Sequence, residues 1–210
     1  MTSGLPMAFG VLPERFFARD ALVVARDLLG QIVVRDDVAL RITETEAYRH
    51  PGDSANHCRA GRTARNEAMW GPPGRAYVYL CYGLHAMLNL VTDGEGEGAA
   101  VLVRAAEPVA GLDTIRARRR RDDDESLLAG PGKVGQALAL DPSFSGHVLF
   151  ERGGLAVHAG PAVREVLVGP RVGVDYADPA DRDAPYRFAD ARSRVVTHRR
   201  TLRPLLRFPR

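Results

Sequence analysis

The stretch Val38-Ala39-Leu40-Arg41-Ile42-Thr43-Glu44-Thr45-Glu46-Ala47-Tyr48 keeps a period of two, the signature of a β-strand. That period places Val38, Leu40, Ile42, Glu44, Glu46 and Tyr48 on one face. An apolar face that runs into two carboxylates and a phenol is unusual, because a buried acid is costly unless it is paired or used. Glu44 and Glu46 stand roughly 7 Å apart at a strand rise of about 3.3 Å per residue. At that spacing one acid can activate a water while the other orients its neighbours or pairs with an arginine. The same pattern also fits a strand that leaves the core with both glutamates in solvent.

Upstream, Ala21-Leu22-Val23-Val24-Ala25 and Leu28-Leu29 recur at helical spacing up to Gly30, and Gln31-Ile32-Val33-Val34 reads as a strand. Downstream, His50 to Gly74 is rich in Gly, Pro, Arg and Asn and reads as a long irregular connection, a kind of segment that is usually functional or mobile. Strands are expected at Arg75 to Leu80, Met87 to Val91 and Ala100 to Val103, with a turn at Asp93 to Gly98. Arg116 to Glu125, five arginines followed by four acids, reads as a solvated helix end or surface loop. A helix is expected from Gly130-Pro131-Gly132-Lys133 through Leu140, and short strands at Leu155 to His158 and Arg171 to Val174. There is no internal repeat and no linker, so residues 1–210 read as one domain.

With 45% apolar and 26% charged residues among 210, the chain can build a packed core, which excludes wholesale disorder and collagen-like or coiled-coil architectures. Arg26, Asp27, Arg35, Asp36 and Asp37 interrupt the most apolar region, so no spanning helix is expected. The N-terminus has no basic region leading into an apolar core and cleavage site, so export is not expected either. Cys58 and Cys81 are too few for a disulfide framework or an all-cysteine zinc site and read as small buried hydrophobes. Lys133 is the only lysine, which removes nearly every candidate Schiff-base amine. The net charge of +3 conceals an asymmetry: Arg187 to Arg210 holds eight arginines and one acid, and between His57 and Arg75 the side chains of Arg59, Arg62, Arg65 and Arg75 stand against Glu67 alone. Clustered guanidinium groups suit phosphate contacts, although for the tail taken alone a solvated face is the better reading.

Tyr77-Val78-Tyr79-Leu80-Cys81-Tyr82-Gly83 would, if extended, point Tyr79 and Tyr82 to opposite faces. Aromatic rings can sandwich an extruded base or fill the gap it leaves, and they also pack across strands in ordinary sheets. Asp53, His57 and Glu46 could be imagined around a metal, but no HExxH or CxxC spacing supports that, and His57 reads better as a pocket donor or stacking ring. Gly130-Pro131-Gly132-Lys133 lacks the spacing of a Walker A loop, yet helix-terminal amides with Lys133 could hold one phosphate.

Taken together, the run from Arg41 to Tyr48, His57, the run Pro73-Gly74-Arg75-Ala76-Tyr77-Val78-Tyr79-Leu80-Cys81-Tyr82-Gly83, Asn89, and Val101-Leu102-Val103-Arg104-Ala105-Ala106-Glu107-Pro108 resemble the alkyladenine (3-methyladenine) DNA glycosylase family. The resemblance continues through Gly130 to Lys133 and Arg171-Val172-Gly173-Val174, covering about residues 12 to 196. The Asp93 to Gly98 turn and the Arg116 to Glu125 run match poorly, and the Arg-rich tail 197–210 lies outside.

The resemblance implies an α+β fold, a single mixed domain on a curved, mostly antiparallel β-sheet with a barrel-like core flanked by helices, and neither cofactor nor metal. It implies that Glu46 is the general base for the water that attacks C1′, with Arg104 steadying it. Tyr48, His57, Tyr79 and Asn89 would form the pocket for the flipped base, and Tyr82 would be inserted into the DNA in its place. Arg65 and Lys133 are expected to contact phosphates. The expected activity is that of a monofunctional glycosylase, a monomer in the cytoplasm at the nucleoid, which excises alkylated or deaminated purines such as 3-methyladenine or hypoxanthine from double-stranded DNA. Two other readings remain open at this point: a nucleoside or glycoside hydrolase with Glu44 and Glu46 as its acid/base pair, and a nucleic-acid-binding domain without catalysis.

Overall fold

The structure is a computed structural model and describes residues 10–121 and 126–206. Its strands are β1 (Ile32–Arg35), β2 (Val38–Tyr48), β3 (Ala76–Cys81), β4 (His85–Thr92), β5 (Ala99–Ala110), β6 (Leu155–His158), β7 (Val166–Gly169), β8 (Arg187–Asp190) and β9 (Arg203–Pro204). The α-helices are α1 (Glu14–Phe17), α2 (Ala21–Asp27), α3 (Leu112–Arg119), α4 (Pro131–Ala137) and α5 (Pro179–Arg182). Every strand pairing is antiparallel, in the order β3-β4-β5-β2-β8-β7-β9, with β1 joining β2 to β6 at the side. The α+β class stands as expected. The barrel-like closure does not: β3 and β9 end the hydrogen-bonded path, and among the described residues they do not pair.

β2 is the hub of the sheet. One edge runs along β5, while the other is divided between β1, which takes Val38 to Arg41, and β8, which takes Glu44 to Glu46. At that division the register with β5 shifts between Ile42 and Glu44 and again between Glu44 and Thr45. Such a bulge adds a residue and inverts the side chains that follow. Val38, Leu40 and Ile42 lie in the apolar core, but beyond the bulge it is Ala47 that joins the core and Thr45 whose hydroxyl donates to Ala25 O of α2 at 2.8 Å. Glu44, Glu46 and Tyr48 are thereby turned to the opposite face from Val38, Leu40 and Ile42. The single-face expectation fails at this point, and its failure takes the carboxylates out of the apolar core.

The core itself is built as the sequence pattern suggests. α2 buries Ala21, Leu22, Val24 and Ala25, and Asp20 caps it by accepting from Leu22 N at 2.8 Å, an interaction typically worth about 1 kcal/mol. The chain then reverses at Gly30, with φ of 85° and no room for a Cβ beside the Pro161 carbonyl. β5 runs well past the expected Val103, to Ala110. The segment Arg171 to Val174 is not a strand: it bends at Gly173, with φ of 78°. Of the Arg116 to Glu125 run, Arg116 to Arg119 close α3, with Arg118 and Arg119 donating to Ala137 O and Leu127 O, while 122–125 lie outside the described residues.

Candidate active site

Successive registers place Tyr77 opposite Asn89, Asn89 opposite Leu102, and Leu102 opposite Glu46, a single row across β3, β4, β5 and β2. With strands about 4.8 Å apart, the row spans roughly 14 Å. It underlies a cleft of about 740 Å³ whose walls include Tyr48, His57, Tyr79, Asn89, Leu102 and Arg104. The expected pocket residues and Arg104 are therefore brought together, and Glu46 lies behind the wall in contact with Tyr48, Arg104 and Val172.

Glu46 is fully buried, and each of its oxygens is held. Val172 N donates to Oε1 at 2.8 Å, the Tyr48 hydroxyl donates to Oε2 at 3.0 Å, and Arg104 Nη1 stands 3.4 Å from Oε1. Burial, reinforced by the Glu46 charge, pushes the Tyr48 phenol well above its ordinary range, so it stays a donor. Its ring is fixed from behind by Arg171, whose guanidinium lies 4.8 Å from the ring centroid and grips Asp53 through two bonds of 2.6 and 2.8 Å. Asp53 accepts further from Arg49 N and Ala55 N, so this carboxylate is committed to the loop and is not poised for a metal shared with His57 and Glu46.

Glu44 is also fully buried, and like Glu46 it does not itself line the cleft. Arg187 Nη1 binds its Oε1 at 2.9 Å, Thr197 N and Oγ1 donate to its two oxygens at 2.7 and 2.8 Å, and Arg104 Nε stands at 3.4 Å. Burial raises the Glu44 pKa above its ordinary value, while Thr197 and the two arginines pull it down.

The irregular connection forms the opposite wall. Two buried asparagines hold it: Asn56 donates to Arg49 O and Gly98 O, and Asn66 donates to His57 O and Gly61 O. A segment anchored this way is a fixed wall, which satisfies its buried backbone groups with side chains in place of a ladder. His57 contacts the Tyr79 ring edge to face at 4.6 Å, and its Nδ1 lies 3.0 Å from the Tyr77 hydroxyl. Burial, and then Arg65 and Arg59, push His57 down to about 4, so its ring is neutral near pH 7. Tyr77 is fully buried, with its phenol raised by burial to about 12, and His57 Nδ1 is the acceptor within its reach, which leaves Nε2 carrying the ring hydrogen. Asn89 commits both amide hydrogens to Tyr77 O and Met87 O, leaving Oδ1 as an acceptor at the cleft wall.

At the mouth, Tyr82 is not part of an extended strand. It forms the tip of the β3–β4 hairpin, 92% exposed, with φ of 51° beside Gly83 at 70°, and Leu84 N closes the turn onto Cys81 O at 3.0 Å. A tyrosine held in left-handed backbone costs about 1 kcal/mol and puts an aromatic ring where solvent gives it no partner. Leu84, 77% exposed, stands next to it. Arg65 is exposed at the rim, 5.9 Å from the Tyr79 ring centroid. Lys133 does not line the cleft, where α4 contributes Pro131, and its ammonium donates to Ser126 O at 2.9 Å. Sequence reasoning missed Arg171 as the support of Tyr48, Val172 N as a partner of Glu46, Tyr176 in the cleft wall, and Thr197 and Arg187 behind it. Arg171 and Val172 were within reach, since they belong to the stretch that carries the family resemblance, whereas Thr197 and Arg187 look like members of a basic tail.

Comparison with known proteins identifies the family. The family model for methylpurine-DNA glycosylase matches residues 15–194. A protein of Nitrosococcus oceani, provisionally named a 3-methyladenine DNA glycosylase, is 59% identical over 92% of this chain and 96% of its own length. The DNA-3-methyladenine glycosylase of Arabidopsis thaliana is 53% identical over 93% of this chain and 78% of its own. A Methanocella arvoryzae protein, also provisionally named a 3-methyladenine DNA glycosylase, is 45% identical over 90% of this chain and 96% of its own. The chain belongs to the methylpurine-DNA glycosylase family.

Proposed function

We propose that this hydrolytic DNA glycosylase extrudes alkylated or deaminated purines, such as 3-methyladenine or hypoxanthine, from duplex DNA and releases them with a water activated by Glu46, starting base excision repair. The observation that carries the reading is the buried Glu46 carboxylate held by three residues that line the aromatic cleft, Tyr48, Arg104 and Val172, with two accepted hydrogen bonds against three at Glu44. A water bound there loses its proton to Glu46 as its oxygen attacks C1′ and the glycosidic bond breaks with the electron pair leaving on the base. Arg104 steadies the carboxylate. Tyr48, Tyr79 and neutral His57 enclose the base, and electron-rich rings favour one made cationic by alkylation. Asn89 crowds the purine edge, and Tyr82 fills the stack that the base has left. Arg65 at the rim holds a backbone phosphate.

The reading is of a monofunctional enzyme, because a lyase needs an amine nucleophile and Lys133 is turned onto Ser126 O. We further take it to act as a monomer, in the cytoplasm with the chromosome. No helix among the described residues is long and apolar enough to cross a membrane. Against the glycoside or nucleoside hydrolase stands Glu44, whose three hydrogen bonds come from Arg187 and Thr197, neither of which lines the cleft; against a domain without catalysis stands the arrangement around Glu46, whose partners do line it. The test is incubation with a duplex that carries one hypoxanthine, and with methylated DNA, followed by chromatography of free base. Base release with the strand intact until alkali treatment is expected. Nicking before alkali would refute the monofunctional part, and equal release from free nucleosides would favour the second reading. Absence of any release would overturn the proposal.

A further inference from the structure

Behind Glu46, Arg104 does not serve one carboxylate alone. Its Nε and Nη1 stand 3.4 Å from Glu44 and from Glu46 respectively, so one guanidinium bridges the two acids. What sets its position between them is Thr197: Arg104 Nε donates to Thr197 Oγ1 at 3.0 Å, and the same hydroxyl donates to Glu44 Oε1 at 2.8 Å. Thr197 O in turn accepts from Arg187 Nη1 at 2.9 Å. A hydroxyl that accepts from the arginine and donates to the acid has both of its roles used. Without it, Arg104 has no neutral partner to hold it off Glu44, and the guanidinium is free to collapse onto that acid and away from Glu46. Thr197 lies beyond the span of the family match, and the sequence places it at the start of a basic tail.

We propose that Thr197 is a positioning residue, which acts through Arg104 to hold the Glu46 carboxylate in its reactive geometry. This rests on Glu46 being the general base. A second threonine separates positioning from mere anchoring: Thr43, the neighbour of Glu44 in sequence, donates from Oγ1 to Val195 O at 2.7 Å, tying down the same segment through a hydroxyl bonded to neither Arg104 nor the Glu44 carboxylate.

The experiment measures single-turnover excision of hypoxanthine from a duplex, the Kd for that duplex and the thermal midpoint, for the wild type and for T197V, T197A, T197S and T43V. T197V, which keeps the shape and loses the hydroxyl, is expected to slow the chemical step by about tenfold to a hundredfold, the scale of loss that misplacement of a reacting group brings, with Kd unchanged. T197S restores most of the rate, and T43V lowers the midpoint while excising near the wild-type rate. T197A makes the same deletion at a half-buried position if the valine is not accommodated. The proposal is overturned if T197V or T197A excises within twofold of the wild type, if T197S fails to rescue, or if T43V slows chemistry as much as T197V. A wild type that releases no base defeats the general-base reading itself, and this proposal with it.

Discussion

Around Glu44, two arginines, a backbone N–H and a threonine hydroxyl converge on one carboxylate, and of these residues only Arg104 lines the cleft. Two residues along the same strand, Glu46 meets one backbone N–H, one phenol and a guanidinium shared at 3.4 Å, all three from residues that line the cleft. Both acids are fully buried; Arg104 is shared between them, and Arg187 pairs with Glu44. The difference lies in saturation. Glu44 accepts three hydrogen bonds, all from Arg187 and Thr197, which do not line the cleft, whereas Glu46 accepts two, both from residues of the cleft wall, and has the greater remaining capacity to take a proton.

The comparison can be broken most heavily at Glu44. Glu44→Gln leaves Arg187 buried without its counter-charge and is expected to cost about 3–5 kcal/mol, read as a lower urea midpoint with little change in slope. A midpoint equal to wild type would mean that the two carboxylates are not different in kind. Smaller in effect is Tyr82→Ala, which removes the exposed ring at the hairpin tip and is expected to lower the flipped population at a lesion about tenfold, since base–aromatic stacking contributes about 1–3 kcal/mol. Unchanged fluorescence of a reporter base beside the lesion would contradict the wedge role.

His57 tests the wall facing the acids. Its pKa is lowered to about 4 in the folded chain against an ordinary value near 6.5. The neutral ring's contribution to stability is therefore complete above pH 6.5 and is lost as pH falls toward 4, because the unfolded chain takes up the proton first. The wild-type urea midpoint should fall across that window by more than that of His57→Gln, and parallel curves would contradict a buried neutral histidine. The smallest effect is expected at Arg65→Ala, which should flatten the salt dependence of DNA binding by about one phosphate contact and leave excision at saturating enzyme unchanged.

Much of this was legible in the chain. The period of two from Val38 revealed the central strand, and the motifs from Arg41 to Tyr48 and from Pro73 to Gly83 led to the aromatic cleft, because strand alternation and tyrosine spacing are local properties. The bulge after Ile42 was not legible, since it arises where β2 changes partners from β1 to β8, a tertiary event. β8 was hidden for a related reason. Arg187-Phe188-Ala189-Asp190 begins and ends with charges that mark a surface segment in any local reading, and Arg187 is fully buried only because Glu44 is waiting for it more than a hundred residues away in sequence. The same holds for Arg171 and Asp53, a buried pair joined across the long connection.

The central claim is that Glu46 does chemistry while Glu44 holds the structure. It is tested most directly by single-turnover excision from a hypoxanthine duplex by Glu46→Gln, measured beside its thermal midpoint and its duplex Kd. The account predicts a loss of at least about 10²–10⁴-fold in excision, the scale of a missing general base, with the midpoint and Kd close to wild type. Excision by Glu46→Gln at the wild-type rate would contradict it.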